Sequence, residues 1–218
     1  MSKPASLKQE NNVRKLALSV LVALGSLISV AMAADDKWDP YAPMPHDIVV
    51  GNPSAPITVV EYASLTCPHC GRFHKETMPS FKEQLVDTGQ AKLIYRHLPL
   101  DQSALAGSLA ASCASEDIRF EVVSTLFDQV AVWAPDIKKM VPVLQSKFGD
   151  RIDAAEMLKC ASNSELANEI VNGMTKAIDN GVASTPTFFI NGEKFDGFIS
   201  PENFSVLVKA AGPTAPEK

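Results

Sequence analysis

Cysteine is scarce in this 218-residue chain: there are four thiols and one close pair, Cys67-Pro68-His69-Cys70. No second Cys-x-x-Cys and no Cys-x-x-His accompanies it, so the other half of a structural zinc site is missing. Internal repeats are absent. So is an excess of positive charge. At a formal net charge of −5, the chain is mildly acidic and is not built to hold nucleic acid. Beyond residue 33 no apolar run is long enough to cross a bilayer. His74 and His97 stand without metal-ligand companions and read as structural or solvent-facing, while His46 reads as a solvated loop residue. The methionines follow no stripe.

Four bases, Lys3, Lys8, Arg14 and Lys15, precede an apolar run from Leu16 to Val30 that closes on Ala31-Met32-Ala33. A basic start, a short apolar middle and Ala-x-Ala are the parts of a secretory signal. The run is short for a membrane span. Residues 1–33 are therefore read as a signal peptide, with an uncleaved membrane anchor as the alternative. Under either reading the rest of the chain is exported. The segment carries four bases and one acid, so its removal leaves a more acidic remainder, long enough for one domain. All four cysteines lie in that remainder, and an even count in an oxidising compartment suggests pairing.

Residues 34–50 are rich in Pro and Asp and read as an extended lead-in that Trp38 and Tyr41 dock onto the body. Ile57 to Tyr62 is apolar on both faces except at Glu61, which suits a strand covered on both sides. Gly71 to Val86 reads as an amphipathic helix bent at Pro79. Ala91 to Leu98 reads as a second strand, and strand–helix–strand at this spacing is a right-handed parallel crossover. The period changes to 3.6 from Asp101 to about Asn163, with helical stretches over Ser103–Ala114, Ser115–Val130, Asp136–Phe148 and Asp153–Ala161. Trp133 is read there as an inter-helix packing residue. Ser164 to Asn180 is a further helix. Val182 to Ile190 returns to β character, Asn191-Gly192 is a hairpin turn, Glu193–Asp196 the returning strand, and Glu202–Ala211 the last helix. Residues 212–218 are read as a disordered tail.

The cysteine pair falls where a strand ends and a helix begins. Cys67 can share the free N–H groups and positive dipole end of the first helical turn, which favours a thiolate. Cys70, three residues on, lies on the same face within disulfide reach. One reactive sulfur beside one resolving sulfur is the minimal apparatus of thiol–disulfide exchange. Half a zinc site and a local staple remain the competing readings of the motif taken alone.

Cys67-Pro68-His69-Cys70 resembles the active site of the thioredoxin superfamily, and Val182 to Gly192, with Thr185-Pro186, resembles its second active-site loop. The helical block between them is similar to the insertion of the DsbA family of bacterial periplasmic thiol oxidases. The resemblance covers roughly residues 51–211. It implies an α/β architecture, a thioredoxin fold with β-α-β and β-β-α halves around a mixed sheet, interrupted by an all-helical domain. The implied bounds are 51–100 and 164–211 for the thioredoxin-like part and 101–163 for the insertion. It also implies roles. Cys67 is the nucleophile and Cys70 its resolving partner. His69 tunes the Cys67 sulfur through its imidazole or its N–H, and Pro68 fixes the turn. Glu61 exchanges a proton with Cys70, unless it is a strand-end carboxylate facing water. Pro186 is cis, beside the disulfide, and Thr185 pairs its backbone with an extended substrate strand. Cys113 and Cys160 form a structural disulfide or remain two buried free thiols.

The activity implied is donation of the Cys67–Cys70 disulfide to reduced, unfolded exported polypeptides in the periplasm. No metal or organic cofactor is needed, and a DsbB-like quinone-linked membrane protein is the implied reoxidase. A monomer is expected, because the short lead-in leaves no room for a dimerisation domain. Thr185 is the residue type of the periplasmic isomerases rather than of the enterobacterial oxidase, so an isomerase or reductase is the alternative. A non-enzymatic envelope-associated protein is a further one.

Overall fold

Seven consecutive residues, Ile57–Ala63, form strand β2, and every one of them is buried. A strand that buries both faces must sit inside a sheet with a covered layer on each side. The computed structural model describes residues 38–212, so the signal segment and residues 213–218 of the tail lie outside the described residues. In the unit that begins at Asp39, β2 is the middle of a five-stranded mixed sheet of order β1-β3-β2-β4-β5. β1 (Ile48–Val50) runs antiparallel to β3 (Ala91–His97), and β3 runs parallel to β2. β4 (Thr187–Ile190) is antiparallel to β2, and β5 (Glu193–Asp196) to β4. This is a thioredoxin fold with helices inserted between its two halves.

The first crossover is less regular than a single bent helix. Helix α1 (Pro68–Glu76) stops at Thr77, a second short turn, α2, spans Met78–Phe81, and a π-helical turn follows over Lys82–Val86. Pro79 has no N–H for the carbonyl four residues back, which breaks the ladder there. The Thr77 hydroxyl donates to the Ile199 carbonyl at 2.8 Å, pinning the break to the C-terminal half.

Between β3 and β4 lie α3 (Gln102–Cys113), α4 (Arg119–Asp128), α5 (Val130–Trp133), α6 (Met140–Phe148), α7 (Ala154–Ala161) and the long α8 (Ser164–Asp179). The stretch expected to be helical from Ser115 begins only at Arg119. Ser115–Ile118 instead form a turn, and the Arg119 guanidinium donates to the Ala114 carbonyl at the end of α3. α3 is rich in small residues because it is closely approached. A side chain at Gly107 would meet Leu65 at 2.8 Å and Trp133 at 3.0 Å. Trp133 is fully buried and donates its indole N–H to the Leu126 carbonyl at 2.7 Å. Cys113 and Cys160 are joined by a disulfide that ties α3 to α7. The chain closes with α9 (Pro201–Ala211), capped by Ser200.

Two apolar layers flank the sheet. One gathers Phe73, Phe81, Leu85, Phe188 and Phe204 between α1, the sheet and α9. The other gathers Leu65, Tyr95, Val122, Leu126, Phe127 and Trp133 beneath the inserted helices.

The lead-in is bound more firmly than an extended run of prolines suggests. Arg96 on β3 is buried, and its guanidinium donates to both Asp47 oxygens (2.7 and 2.9 Å), to the carbonyls of Pro40 (2.5 Å) and Ala42 (2.6 Å) and to the Tyr62 hydroxyl (2.8 Å). Tyr41 docks through its hydroxyl, which accepts the Gly192 N–H at 2.6 Å. His46 is not a solvated loop residue: it is partly buried and meets Glu169 of α8 at 2.7 Å. His97 is buried too, and burial chiefly lowers its pKa to about 3.

Replacing Arg96 by Leu strands Asp47 and three oxygen acceptors, and is expected to lower stability by about 3–5 kcal/mol in urea melts, the usual cost of breaking a buried pair by removing one partner. The double replacement of Cys113 and Cys160 by Ala is expected to cost about 3–4 kcal/mol in the same assay, through release of the loop between them.

Candidate active site

Pairing of β2 with β3 runs in register to Ala63 opposite His97. The chain then turns, and the Cys67 N–H donates to the Ser64 carbonyl at 3.0 Å. Cys67 is the cap residue of α1, with extended backbone (φ −77°, ψ 122°), and Pro68 occupies the first helical position. Proline suits that position, since the N–H it lacks would be unpaired there. Helical spacing then carries Cys70 into the core beneath the inserted helices, where it is fully buried, while Cys67 stays half-buried at the surface.

The second part of the site arrives from the far half of the chain. Antiparallel pairing sets Thr187 opposite Tyr62, so the two residues preceding Thr187 run alongside the end of β2. The Thr185–Pro186 peptide bond is cis. The Thr185 carbonyl lies 3.2 Å from Cys67 Sγ and accepts from its thiol. β4 begins at Thr187 rather than at Val182 because Pro186 has no N–H for a sheet ladder. The Pro186 carbonyl instead accepts the Gly197 N–H at 2.7 Å, and the Thr187 hydroxyl donates to the Ser184 carbonyl at 2.8 Å.

The two sulfurs have opposite acidities. The Cys67 pKa is lowered to about 5. The Cys70 thiol donating to its sulfur contributes most, and partial burial opposes it. The Thr185 hydroxyl and the backbone N–H groups of Cys70 and His69 add to the lowering. The first turn of α1 holds no acidic residue to work against these donors. Cys70 is pushed far up, first by burial, then by Cys67 and by the charge of Glu61. His69 itself is exposed, and the group it offers Cys67 is its backbone N–H.

Beneath Cys70 the structure gathers residues that the sequence did not single out together. Glu61 is buried completely, not a carboxylate facing water. Both its oxygens meet His74 Nε2, at 3.2 and 3.1 Å. His74, expected to be structural or solvent-facing, is buried at the inner face of α1. The signal was available: His74 is one turn after Cys70 on the same face, and an acid in a covered strand requires a partner. Tyr95, opposite Glu61 on β3, is also buried, and its pKa is raised first by burial and then by the charge of Glu61. The sequence also concealed Thr66, whose hydroxyl donates to Asp101 at 2.6 Å. Asp101 caps α3 by accepting the Ala104 N–H at 2.7 Å, so the active-site turn is tied directly to the inserted helices.

Residues 44–210 match the family model described as thioredoxin. A Rickettsia bellii protein named as a putative protein-disulfide oxidoreductase is 28% identical over 165 residues, which cover 74% of this chain and 61% of the relative. A Na(+)/H(+) antiporter of Salinispora tropica is 29% identical over 167 residues, 76% of this chain but 24% of the antiporter. The chain thus spans less than two thirds of the length of these relatives. Among solved structures, Wolbachia pipientis alpha-DsbA1 superposes with a TM-score of 0.70 at 28% identity, covering 78% of this chain and 92% of that one.

Ultraviolet titration of the reduced protein is expected to show a thiolate present above about pH 5 and lost as pH falls through that value. Replacing Cys70 by Ala removes the largest stabilising donor, and the midpoint is expected to move upward. A midpoint unchanged by that substitution would contradict the sulfur–sulfur bond as the main cause.

Proposed function

The chain belongs to the thioredoxin family, and we propose that it is an exported thiol:disulfide oxidoreductase of DsbA type that donates its Cys67–Cys70 disulfide to reduced, unfolded polypeptides. The observation that carries this reading is the asymmetry of the two sulfurs. One is half-buried at a helix N-terminus with a pKa lowered to about 5; the other is buried three residues on and held as a thiol. Such a couple favours the reduced state, so its disulfide is readily given away.

In the proposed turnover a substrate thiolate attacks Cys67 Sγ. The Cys67–Cys70 bond breaks, its electron pair stays on Cys70, and a mixed disulfide joins substrate to Cys67. A second substrate thiolate attacks the substrate sulfur of that bond. Cys67 then leaves as a thiolate, a good leaving group because its pKa is low. The substrate backbone lies along Thr185, whose carbonyl is beside the nucleophile and ahead of a cis proline. His69 is proposed to assist through its N–H and exposed imidazole, and Pro68 to fix the turn. The reduced enzyme is reoxidised by a DsbB-like quinone-linked membrane protein, with the chain acting as a monomer and needing no cofactor. Export rests on the N-terminal segment, and among the described residues no helix is long and apolar enough to cross a membrane.

A second reading is an isomerase, because the residue ahead of the cis proline is Thr185, the residue type of the periplasmic isomerases. One pair of assays distinguishes the two. An oxidase restores activity to a reduced, unfolded substrate stoichiometrically, whereas an isomerase restores it to a scrambled one catalytically. Failure with both overturns the enzymatic reading. Replacing His69 by Ser is expected to make the disulfide harder to reduce, measured by equilibration against glutathione, and an unchanged potential would remove His69 from the tuning of the couple.

A further inference from the structure

When a substrate opens the disulfide, the electron pair stays on Cys70 Sγ, at a position where burial strongly disfavours a thiolate. Against this stands the backbone N–H of Ser64, which faces that sulfur and favours its charge. Ser64 lies in the turn between β2 and α1 and is 0% exposed. Its carbonyl accepts the Cys67 N–H at 3.0 Å. The main chain of one residue therefore meets both cysteines, with its N–H toward the departing sulfur and its C=O on the amide of the nucleophile.

The side chain of Ser64 fixes that N–H in place through a chain of hydrogen bonds. The Leu100 N–H donates to Ser64 Oγ at 3.3 Å. The Thr66 hydroxyl has a single proton and donates it to Asp101 at 2.6 Å. In the 3.3 Å contact between Ser64 Oγ and Thr66 Oγ1 the donor is therefore Ser64. Every bond points the same way, toward the Asp101 carboxylate. Capping α3 occupies only one oxygen of that carboxylate, the one that accepts the Ala104 N–H at 2.7 Å; the other is spent on Thr66. From the same loop, the Leu98 N–H donates to the Ala63 carbonyl at 2.8 Å. The loop after β3 thus grips the turn after β2 on both sides of Ser64.

We propose that the Ser64 N–H is a catalytic donor to the departing Cys70 sulfur, and that Thr66 and Asp101 are the positioning residues that hold it there. This role rests on the thiol–disulfide exchange proposed above. The step balances without a proton. A substrate thiolate brings one negative charge to Cys67 Sγ, the new S–S bond forms as the Cys67–Cys70 bond breaks, and the charge departs on Cys70. Protonation of that sulfur is a later step and does not enter this one. Cys70 is neutral in the disulfide and neutral again as the buried thiol of the reduced protein. It is charged only in between, so a donor aimed at it acts mainly on the transition state. The rate of opening depends on that donor, and the equilibrium potential does not.

The test follows reduction of the oxidised full-length protein by dithiothreitol, with acid quench and thiol alkylation. Thr66→Val keeps the shape of the side chain and removes its hydroxyl; Thr66→Ser keeps the hydroxyl. T66V is expected to be opened about tenfold more slowly, a smaller loss than deleting such a donor outright. T66S is expected to react at close to the wild-type rate. In both, the equilibrium potential against glutathione and the ultraviolet midpoint of the Cys67 thiolate are expected to stay unchanged. Asp101→Asn keeps an oxygen for the Ala104 N–H but turns an amide N–H2 toward Thr66, and is expected to slow opening comparably. Because the two residues act through one chain, T66V/D101N is expected to be no slower than the worse single variant. A wild-type rate for T66V overturns the proposal. So do an equal loss in T66S, additive losses in the double variant, or a shift in potential or thiolate midpoint large enough to account for the lost rate. Should T66V not fold, D101N is judged by the same rate, potential and midpoint. Dithiothreitol is not a polypeptide, so wild-type protein that reacts with it but oxidises no peptide refutes the proposed function while leaving the Ser64 donor standing.

Discussion

A hydrogen bond from one sulfur to another governs this molecule. Cys70 is buried, and a buried thiolate without compensation is costly, so that sulfur keeps its proton. The interaction of that thiol with the Cys67 sulfur is the largest contribution to the low pKa of Cys67. Burial of one cysteine therefore sets the ionisation of the other. Helix-terminal N–H groups and the Thr185 hydroxyl add to an asymmetry that the packing of Cys70 has already created.

That arrangement depends on two parts of the chain more than a hundred residues apart. The C-terminal end of the central strand β2 leads into the cysteine turn, and antiparallel pairing of β4 against the same strand returns Thr185 to within 3.2 Å of Cys67. Because β2 is covered on both faces, a slip in register would expose its apolar residues and separate the two loops together. Arg96, one strand away, holds the lead-in through five acceptor contacts, and Thr66 with Asp101 links the cysteine turn to α3.

The inserted helices do more than cover the sheet. Phe120 and Phe127 of α4 form the wall against which His74 lies, and Trp133 closes against Leu65 and Gly107 just behind the cysteine turn. Without that layer the Glu61–His74 pair would face water, and the environment that keeps Cys70 a thiol would be lost. The Cys113–Cys160 disulfide ties two of these helices together away from the redox pair.

Much of this was legible in order along the chain. A covered strand, a cysteine pair at a helix start, a helical interruption and a closing hairpin follow from local periodicity and turn chemistry, because those signals act over a few residues. Break points were less legible. Thr77, Ile118 and Thr187 mark where elements start or stop, and each boundary was set by Pro79, a guanidinium cap or a cis proline acting with its tertiary surroundings. Strand β1 was hidden in a proline-rich lead-in because three residues carry too little pattern to read. His46 and Tyr95 were invisible as partners because nothing local distinguishes a buried histidine or tyrosine from a surface one. Sequence by itself determined which residues could do thiol chemistry and where along the chain they stand, since helix starts and covered strands are written in neighbouring residues. Only the tertiary structure decided how strongly the two sulfurs differ in acidity and what lies beneath them, since burial and charge coupling depend on segments that meet only when the sheet closes.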